Sequence, residues 1–337
     1  MPITIAVSGA GSLFGQGTIK SLKLGTLEFR LIALDFFPYA VGLYWADKAY
    51  LLPDVVKPEI TEQHYLERMI DILNKEKVDI LFPGTEFELA ILSKNRKLIE
   101  SETRAKVVVC SPGVIEIADD KWNTYQFLRK HNFAYPPSTI DMSTIDNFVD
   151  EVGFPLIVKP RRGFRSRGVT LVENSDTLYA AIKLAGTNPI VQKSIGSMNE
   201  EYTCGAVVID NECLGAITVR RDLRDGNTFR AYLEPNESLE NAVREMALAL
   251  QPHGSVNFQL RLENGIPIVF EINARLSGTS VMRAMAGFNE ADAIVRHIVL
   301  GEKIKLKQQK SGVCLRHWEE ILVPWEDYNK LYTTLES

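Results

Sequence analysis

Polar side chains recur at every second position between residues 254 and 283, in a pattern that suits a bound cation. The segment reads as two strands of alternating apolar and polar residues on either side of an Asn-Gly turn signal. Their polar sides carry amide, carboxylate and guanidinium groups: Asn257, Gln259, Glu271, Asn273 and Arg275. Oxygen ligands at this spacing suit a hard cation such as Mg²⁺, which commonly joins a carboxylate to phosphate oxygens. We therefore predict a metal site made by Gln259, Glu271 and Asn273.

The register of this hairpin decides whether the polar side chains meet. A two-residue turn would set Gln259 opposite Phe270, on the wrong face of the sheet. We therefore predict a three-residue loop, Glu263-Asn264-Gly265, which pairs Asn257 with Glu271. An ordinary amphipathic hairpin with one solvated side is the alternative interpretation.

Length and composition limit the class of protein. The chain has 337 residues, 45% hydrophobic and 24% charged, which is typical of a globular protein with room for two or three domains. A net charge of −5 argues against a general nucleic-acid or membrane-surface binder. No apolar run approaches the roughly 20 residues of a membrane span, and no signal peptide is recognisable. Four cysteines without CxxC spacing predict reduced core residues of a cytoplasmic protein: Cys110, Cys204, Cys213 and Cys314.

Strands and helices alternate over residues 1–113, which predicts a parallel sheet in a Rossmann-like domain. A glycine-rich turn at 8–17 and Asp35 invite a dinucleotide-binding interpretation, but the glycine spacing is GxGxxxG rather than GxGxxG. A tight strand-to-helix turn is the alternative. Thr85 and Glu86 follow a later strand, where open α/β sheets place ligand groups, and are candidates to orient an acceptor substrate.

The pattern changes after residue 113 to a mixture of α and β elements. A small α+β unit contains a basic loop at 161–167, with glycines at both ends, that could cover phosphates or form a solvated surface. Beyond it we expect a hairpin over 201–219 and an irregular basic stretch over 220–230. Several arginines could line an anionic-substrate pocket or form surface ion pairs: Arg220, Arg221, Arg230 and Arg283.

These residues give the chain a resemblance to ATP-grasp proteins of the carbamoyl-phosphate-synthase-like and carboxylate–amine ligase branch. The most specific match is Gln259 followed by Glu271-Ile272-Asn273-Ala274-Arg275, with Ala274 where proline is frequent. The resemblance implies a pre-ATP-grasp domain over 1–113 and an ATP-grasp domain over 114–337. Within the latter it implies a mobile lid at about 124–193 and a larger subdomain from about 194 onward.

The resemblance also implies roles for single residues at a nucleotide. Lys121 and Lys159 would reach the phosphates, and the hinge Gln192-Lys193-Ser194-Ile195 would bind adenine. Glu201 would hold the ribose hydroxyls, with Glu200 as a rival. The phosphate loop, with Gly163, departs from the family because arginines stand where glycines are frequent: Arg165 and Arg167.

The resemblance implies a ligase that uses ATP and one or two Mg²⁺, with Mn²⁺ as a substitute. ATP would phosphorylate a carboxylate or bicarbonate, and an amine would attack the acyl phosphate to give an amide or peptide-like bond, ADP and phosphate. Arg275 and Lys159 would act at the transferring phosphoryl group. The expected partners are small molecules and a second copy in a homodimer. The alternatives are a carbamoyl-phosphate-forming or carboxylating subunit, a nucleotide-binding regulatory protein, and an NAD(P)-dependent enzyme.

Overall fold

The computed structural model describes residues 2–163, 168–197 and 200–333. Arg165 and Arg167 of the predicted basic loop lie outside the described residues. Within these ranges no helix is long and apolar enough to cross a bilayer.

The first sheet is parallel, as predicted. Its strands are β1 (Ile3–Val7), β2 (Phe29–Asp35), β3 (Lys48–Leu51), β4 (Ile80–Phe82) and β5 (Lys106–Val107), in the spatial order β3-β2-β1-β4-β5. Three long helices connect them: α1 (Leu13–Leu24), α2 (Glu62–Lys75) and α3 (Glu86–Glu102). The carboxyl ends of β1 and β4 meet at one edge, where Thr85 caps the start of α3.

A second, smaller sheet is antiparallel and follows two helices, α4 (Pro112–Asp119) and α5 (Lys121–Lys130). The sequence pattern did not predict α4. The strands are β6 (Ser138–Thr139), β7 (Leu156–Pro160), β8 (Thr170–Val172) and β9 (Pro189–Lys193), in the order β6-β9-β7-β8. Helices α6 (Ile145–Val152) and α7 (Ser175–Leu184) supply apolar side chains that pack with Leu156 and Val158 on one face of this sheet.

The third sheet has six antiparallel strands and forms the rest of the chain. They are β10 (Glu201–Ile209), β11 (Glu212–Arg224), β12 (Asn227–Leu233), β13 (Gly254–Glu263), β14 (Ile266–Asn273) and β15 (Gly312–Leu315), in the order β14-β13-β10-β11-β12-β15. Helices α8 (Glu237–Leu250), α9 (Ser280–Met285), α10 (Glu290–Leu300) and α11 (Trp325–Tyr332) complete it. This mixture confirms the predicted fold class. The stretch over 220–230, predicted to be irregular, instead forms the β11–β12 hairpin.

Apolar packing joins the first sheet to the third. Ile5 and Val7 of β1 belong to the same buried cluster as Val207 of β10 and Ile294 of α10. The opposite face of β10 turns Cys204 and Ala206 into another cluster beneath α8. Thr203 alternates with Cys204 and therefore lies on the same face of β10 as Val207, the face directed toward the first sheet.

The turn of the β13–β14 hairpin differs from our prediction. The loop has two residues, Asn264 and Gly265, both at positive φ (52° and 80°), as a tight hairpin turn requires. A β-bulge between Gln259 and Leu260 then absorbs Phe270, so that Gln259 pairs with Glu271. The predicted three-residue loop is therefore wrong, although the two polar sets still share one face.

The bulge also changes the pairing of the other polar residue. Asn257 lies opposite Asn273 rather than opposite Glu271 as predicted. Phe270, which simple alternation placed with the core, instead lies near the cations of Lys159 and Arg261, with its ring centroid 5.7 and 5.6 Å from them. One extra residue in β14 thus keeps the polar side chains of the two strands on one face, although in a different register from the predicted one.

The glycine-rich turn after β1 is packed against its own backbone. A Cβ on Gly15 would lie 2.2 Å from the carbonyl oxygen of Gly9, and one on Gly42 would lie 2.1 Å from that of Ala10. The buried carboxylate of Asp35 accepts hydrogen bonds from the N–H of Gly11 (2.8 Å) and of Phe37 (2.9 Å). These contacts explain the glycines and Asp35 by packing, which favours the tight-turn interpretation over dinucleotide binding.

Substituting Gly15→Ala is expected to destabilise the protein by about 1–3 kcal/mol, because the added methyl group overlaps the carbonyl of Gly9. Gly113→Ala is the matched control, since Gly113 is also helical and a Cβ there meets nothing within 4 Å. Alanine is the better helix former, so the control should be neutral or stabilised by up to ~1 kcal/mol. Denaturant unfolding measures both, and a Gly15→Ala variant as stable as the control would contradict this packing.

Candidate active site

The polar face of the β13–β14 hairpin forms a chain of hydrogen bonds. The carboxylate of Glu271 accepts from the amide nitrogens of Gln259 and Asn273, each at 3.2 Å. The amide oxygen of Asn273 accepts from Arg275 at 3.0 Å. The three predicted metal ligands therefore lie side by side, with Arg275 at one end of the row.

Glu201 stands at the other end of this row, at the start of β10, and is held by two arginines. One carboxylate oxygen accepts from Arg221 at 2.7 and 3.1 Å, and the other accepts from Arg261 at 2.9 and 3.2 Å. Arg221 also donates to the amide oxygen of Gln259 at 2.8 Å. Because all these groups are largely buried, their positions fix one another, and Arg221 lies beside the row.

Lys159 faces this row from the second sheet. Leu156 and Val158 point into the apolar cluster of that sheet, so Lys159 lies on the opposite face, and only 6% of it is exposed. Burial, together with the nearby charges of Lys121 and Arg261, lowers the pKa of Lys159 to about 7, against the opposing effect of Glu271 and Glu201. The surroundings of Lys159 therefore disfavour its charged form.

Lys121 begins α5 and ties that helix to the start of the basic loop. Its ammonium group donates to the carbonyls of Gly163 (2.9 Å) and Arg161 (3.4 Å). Arg161 pairs in turn with the buried carboxylate of Asp120, at 2.6 Å. Arg161, at the start of the loop, is therefore charge-paired. The hydrogen bond from Lys121 to Gly163 holds this part of the loop beside Lys159.

The predicted adenine hinge runs along β9 and the residues after it. Gln192 pairs with Ile157 on the same face as Lys159, and its amide donates to the hydroxyl of Ser138 at 2.9 Å. Lys193 points to the other face, where its ammonium group donates to the carbonyls of Gly153 (3.2 Å) and Phe154 (2.8 Å). The Lys193 side chain therefore turns away from the site.

The backbone of the hinge is engaged as well. The N–H groups of Lys193 and Ser194 donate to Pro137 (2.8 Å) and Pro155 (3.0 Å). The carbonyl of Ile195 accepts from Arg261 at 3.4 Å, which connects the hinge to Glu201.

Arg275 connects the third sheet to the first. Its guanidinium group donates to Glu86 at the start of α3, at 2.5 Å, and lies over the ring of Phe14 with 3.6 Å to the centroid. Glu86 therefore lies beside Arg275, and its role in orienting a substrate stays a prediction. Thr85 precedes it and serves as the helix cap, where Glu88 completes a capping box.

Two predicted substrate residues do not reach this cleft. Arg283 is 0% exposed and forms an ion pair with Glu290 (3.2 Å) beneath the sheet, where it also bonds to Asn257 and Thr203. Arg230 is exposed and pairs with Asp222, and in β11 Asp222 points away from the face that carries Arg221. Both predictions followed from charge alone, which does not determine the face of a strand or the depth of a helix.

Sequence reasoning missed Arg261, which holds Glu201 and the hinge together. The signal was present, because Arg261 lies two residues after Gln259 and therefore on the same face of β13. It also missed Phe14, because nothing in the sequence places α1 beneath Arg275.

The side chains present fit a bound divalent cation with phosphate groups. Within the described ranges no three His, Cys, Asp or Glu side chains converge, so a cation here would use one carboxylate, Glu271, with the amide oxygens of Gln259 and Asn273. These are hard oxygen donors of the kind that Mg²⁺ prefers. Four cations face two carboxylates in this cleft: Lys121, Lys159, Arg221 and Arg261 against Glu201 and Glu271. A bound anion would offset this excess of positive charge.

Comparison with known proteins agrees with this chemistry. Residues 9–107 match the family model described as a PylC-like N-terminal domain, and residues 197–321 match the one described as ATP-grasp in the biosynthetic pathway with Ter operon. A D-alanine–D-alanine ligase of Clostridium botulinum is 26% identical over 239 residues, which cover 62% of this chain and 79% of the relative.

A longer relative and a solved structure extend the likeness to most of the chain. The carbamoyl phosphate synthase large chain of Thermoanaerobacter pseudethanolicus is 25% identical to this chain. The matched region covers 93% of this chain but only 30% of that longer relative. The crystal structure of N5-carboxyaminoimidazole synthetase from Staphylococcus aureus complexed with ADP has a TM-score of 0.73 at 16% identity. It covers 100% of this chain and 87% of its own, and shows that the two share a fold.

Residues 197–321 therefore match an ATP-grasp family model, and the sequence relatives and the shared fold agree with that match. These matches confirm the resemblance to ATP-grasp proteins that Gln259 and residues 271–275 indicated.

The pKa of Lys159 predicts that nucleotide binding takes up a proton. At pH 8 the ligand-free lysine, with its pKa at about 7, is mostly neutral. A bound phosphate raises that pKa and charges the amine, so binding Mg-ADP at pH 8 should take up about one proton. At pH 6 the lysine is already charged, and the uptake should nearly vanish.

Calorimetric titration of Mg-ADP in two buffers with different ionisation enthalpies measures this uptake. Lys159→Met removes the titrating group and should abolish the difference between the buffers. An equal uptake in the wild-type protein and the Lys159→Met variant would show that another group binds the proton.

Proposed function

We propose that this protein is an ATP-dependent, ADP-forming carbon–nitrogen ligase. ATP phosphorylates a carboxylate substrate, and an amine substrate attacks the resulting acyl phosphate to form an amide or peptide-like bond. The observation that carries the proposal is the row from Glu201 through Gln259, Glu271 and Asn273 to Arg275, which faces a buried lysine.

The charges of this row suit the binding of a polyphosphate. Phosphoryl transfer depends mainly on positioning and on neutralising the phosphate oxygens. Lys159 and Lys121 would neutralise the phosphates from the side of the second sheet. Glu271, Gln259 and Asn273 would hold one or two Mg²⁺, and the metal, when bound, shields the charge on the transferring phosphoryl group.

The two ends of the row suggest where the nucleoside and the reacting group lie. We assign the ribose to the neighbourhood of Glu201, whose carboxylate has lone pairs to spare beyond its two arginines. The adenine would then contact Gln192 and the Ser194-Ile195 backbone. Arg275, at the opposite end, would stabilise the transferring phosphoryl group and the acyl phosphate.

The domain organisation remains part of this proposal. We propose a pre-ATP-grasp domain over 1–113 and an ATP-grasp domain over 114–337, whose lid, at about 124–193, carries Lys159. Closure of that lid would exclude water from the acyl phosphate. A homodimer is the assembly that we propose.

Glu271→Gln should lower turnover by at least about 100-fold, because the site loses its one carboxylate metal ligand and with it the charge that holds the cation. Glu263→Gln, at the exposed end of the same hairpin, is the matched control and should leave turnover unchanged. ADP release with a panel of amino-acid pairs is the assay, and circular dichroism verifies folding. Full activity in a folded Glu271→Gln variant would disprove the proposed metal site.

The same assay separates the ligase from its alternatives. ADP release that requires bicarbonate and ammonia, rather than an organic carboxylate and amine, would favour the carbamoyl-phosphate-forming or carboxylating function. A thermal shift with Mg-ATP but not with NAD(P) is expected, and stabilisation by NAD(P) alone would refute the ligase. Mg-ATP binding with no ADP release under any substrate would indicate a regulatory protein.

A further inference from the structure

The last strand of the third sheet has an unpaired outer edge. β15 ends the order β14-β13-β10-β11-β12-β15, so its outer side pairs with no other strand of the described ranges. On its inner side β15 pairs with β12, and beyond the strand the N–H of Arg316 donates to the carbonyl of Phe229 at 3.1 Å. Backbone groups alternate in direction along an antiparallel strand, so those of Val313 and Leu315 point outward. Such an edge is a template for pairing with a further strand.

Exposed apolar side chains lie on this strand and continue beyond it. Cys314 packs against the cluster of Ala231 and Phe288, so the side chains of Val313 and Leu315 project from the opposite face. We call residues 313–322 the C-terminal apolar stretch; its exposed apolar members are Val313 (56%), Leu315 (64%), Trp318 (89%), Ile321 (42%) and Leu322 (97%). Covering one such side chain removes on the order of 100 Å² from water. Two copies of the stretch therefore offer on the order of 1,000 Å², the size at which a specific interface begins.

The segments on either side of β15 carry opposite charges. The preceding segment exposes Lys305, Lys307 and Lys310, and the following segment exposes Glu319 and Glu320. If β15 pairs antiparallel with its own copy about a two-fold axis, the segment that precedes it in one copy lies beside the segment that follows it in the other. Lysines then meet carboxylates at both ends of the pair, whereas a parallel pairing would set lysines against lysines. The charges therefore fit a second copy in the antiparallel orientation.

We propose that the protein forms its homodimer by antiparallel pairing of β15 with β15 of a second copy, which joins the two six-stranded sheets into one. Val313 and Leu315 provide the backbone hydrogen bonds across the two-fold axis, and the two C-terminal apolar stretches cover each other. This inference rests on the homodimer of the proposed function and locates its interface. It gives the interface no part in ADP release, so association is measured separately from the ligase reaction.

Sedimentation equilibrium of the full chain tests this interface. Leu315→Lys should raise the dimer dissociation constant at least about tenfold, because it removes apolar surface and sets two like charges near the axis. Leu171→Lys is the matched control and should leave the constant unchanged, since Leu171 is a 47% exposed leucine on β8, the edge strand of the second sheet. Circular dichroism verifies that both variants fold. A wild-type monomer at every concentration, or a Leu315→Lys dimer as tight as the control, would overturn the proposal.

Charge reversal tests the antiparallel orientation. One variant combines Lys305→Glu, Lys307→Glu and Lys310→Glu, which makes both flanking segments acidic, and a second combines Glu319→Lys and Glu320→Lys, which makes both basic. Each variant alone should dimerise at least about tenfold more weakly than the wild type at low salt, because like charges then meet. An equimolar mixture should recover a heterodimer, since each acidic segment again meets a basic one. A mixture that associates no better than either variant alone would refute the antiparallel pairing.

The outcomes distinguish this interface from the proposed function. A wild-type dimer that none of these substitutions weakens would refute the interface and leave the homodimer standing. A dimer that Leu315→Lys dissociates, with no ADP release for any carboxylate and amine, would refute the ligase and leave the interface standing.

Discussion

The register of one hairpin determines whether the polar row of the proposed active site can form. Gln259 and Glu271 are opposite each other only because Phe270 is accommodated in a bulge. Without it, the two-residue turn would place Gln259 opposite Phe270, and the row of oxygen atoms would be divided between two faces. The bulge also turns the Phe270 ring toward Lys159 and Arg261. The same irregularity therefore aligns Gln259 with Glu271 and places an aromatic ring beside two cations.

Positive charges outnumber negative charges around the polar face of this hairpin. Glu201 is neutralised by Arg221 and Arg261, whereas Lys159 lies buried near Lys121 and the same Arg261, with Glu271 and Glu201 as counter-charges. A buried lysine whose pKa falls to about 7 is costly to keep charged, and a polyphosphate relieves that cost. The buried network of Arg283, Glu290 and Asn257 differs from the cleft because its charges are paired internally, and it supports the sheet from beneath.

The sequence predicts some of these features better than others, for physical reasons. Alternation along β13 and β14 reveals which side chains are polar, because the period of a strand is a property of the local backbone. It cannot reveal the bulge at Phe270, which depends on packing between two strands, nor can it reveal the face on which Arg230 lies. The depth of Arg283 was hidden for a related reason, since a charged residue is buried only when partners from distant elements, here Glu290 and Asn257, surround it. The position of Arg261 could have been predicted, because it lies two residues after Gln259 and therefore on the same face of the strand. The stacking of Arg275 on Phe14 could not, because it depends on contact between separate sheets.

The contact of Arg275 with Glu86 and Phe14 limits how this chain can recombine with its relatives in evolution. The two matched family models divide the chain into an N-terminal and a C-terminal module, yet the guanidinium group of one module is completed by a carboxylate and an aromatic ring of the other. A foreign N-terminal module would have to present an acid at the start of α3 and a ring on α1 to leave the arginine in place. A gene fusion that exchanges only one module would therefore leave the arginine without its partners. The two modules should accordingly be inherited as a pair.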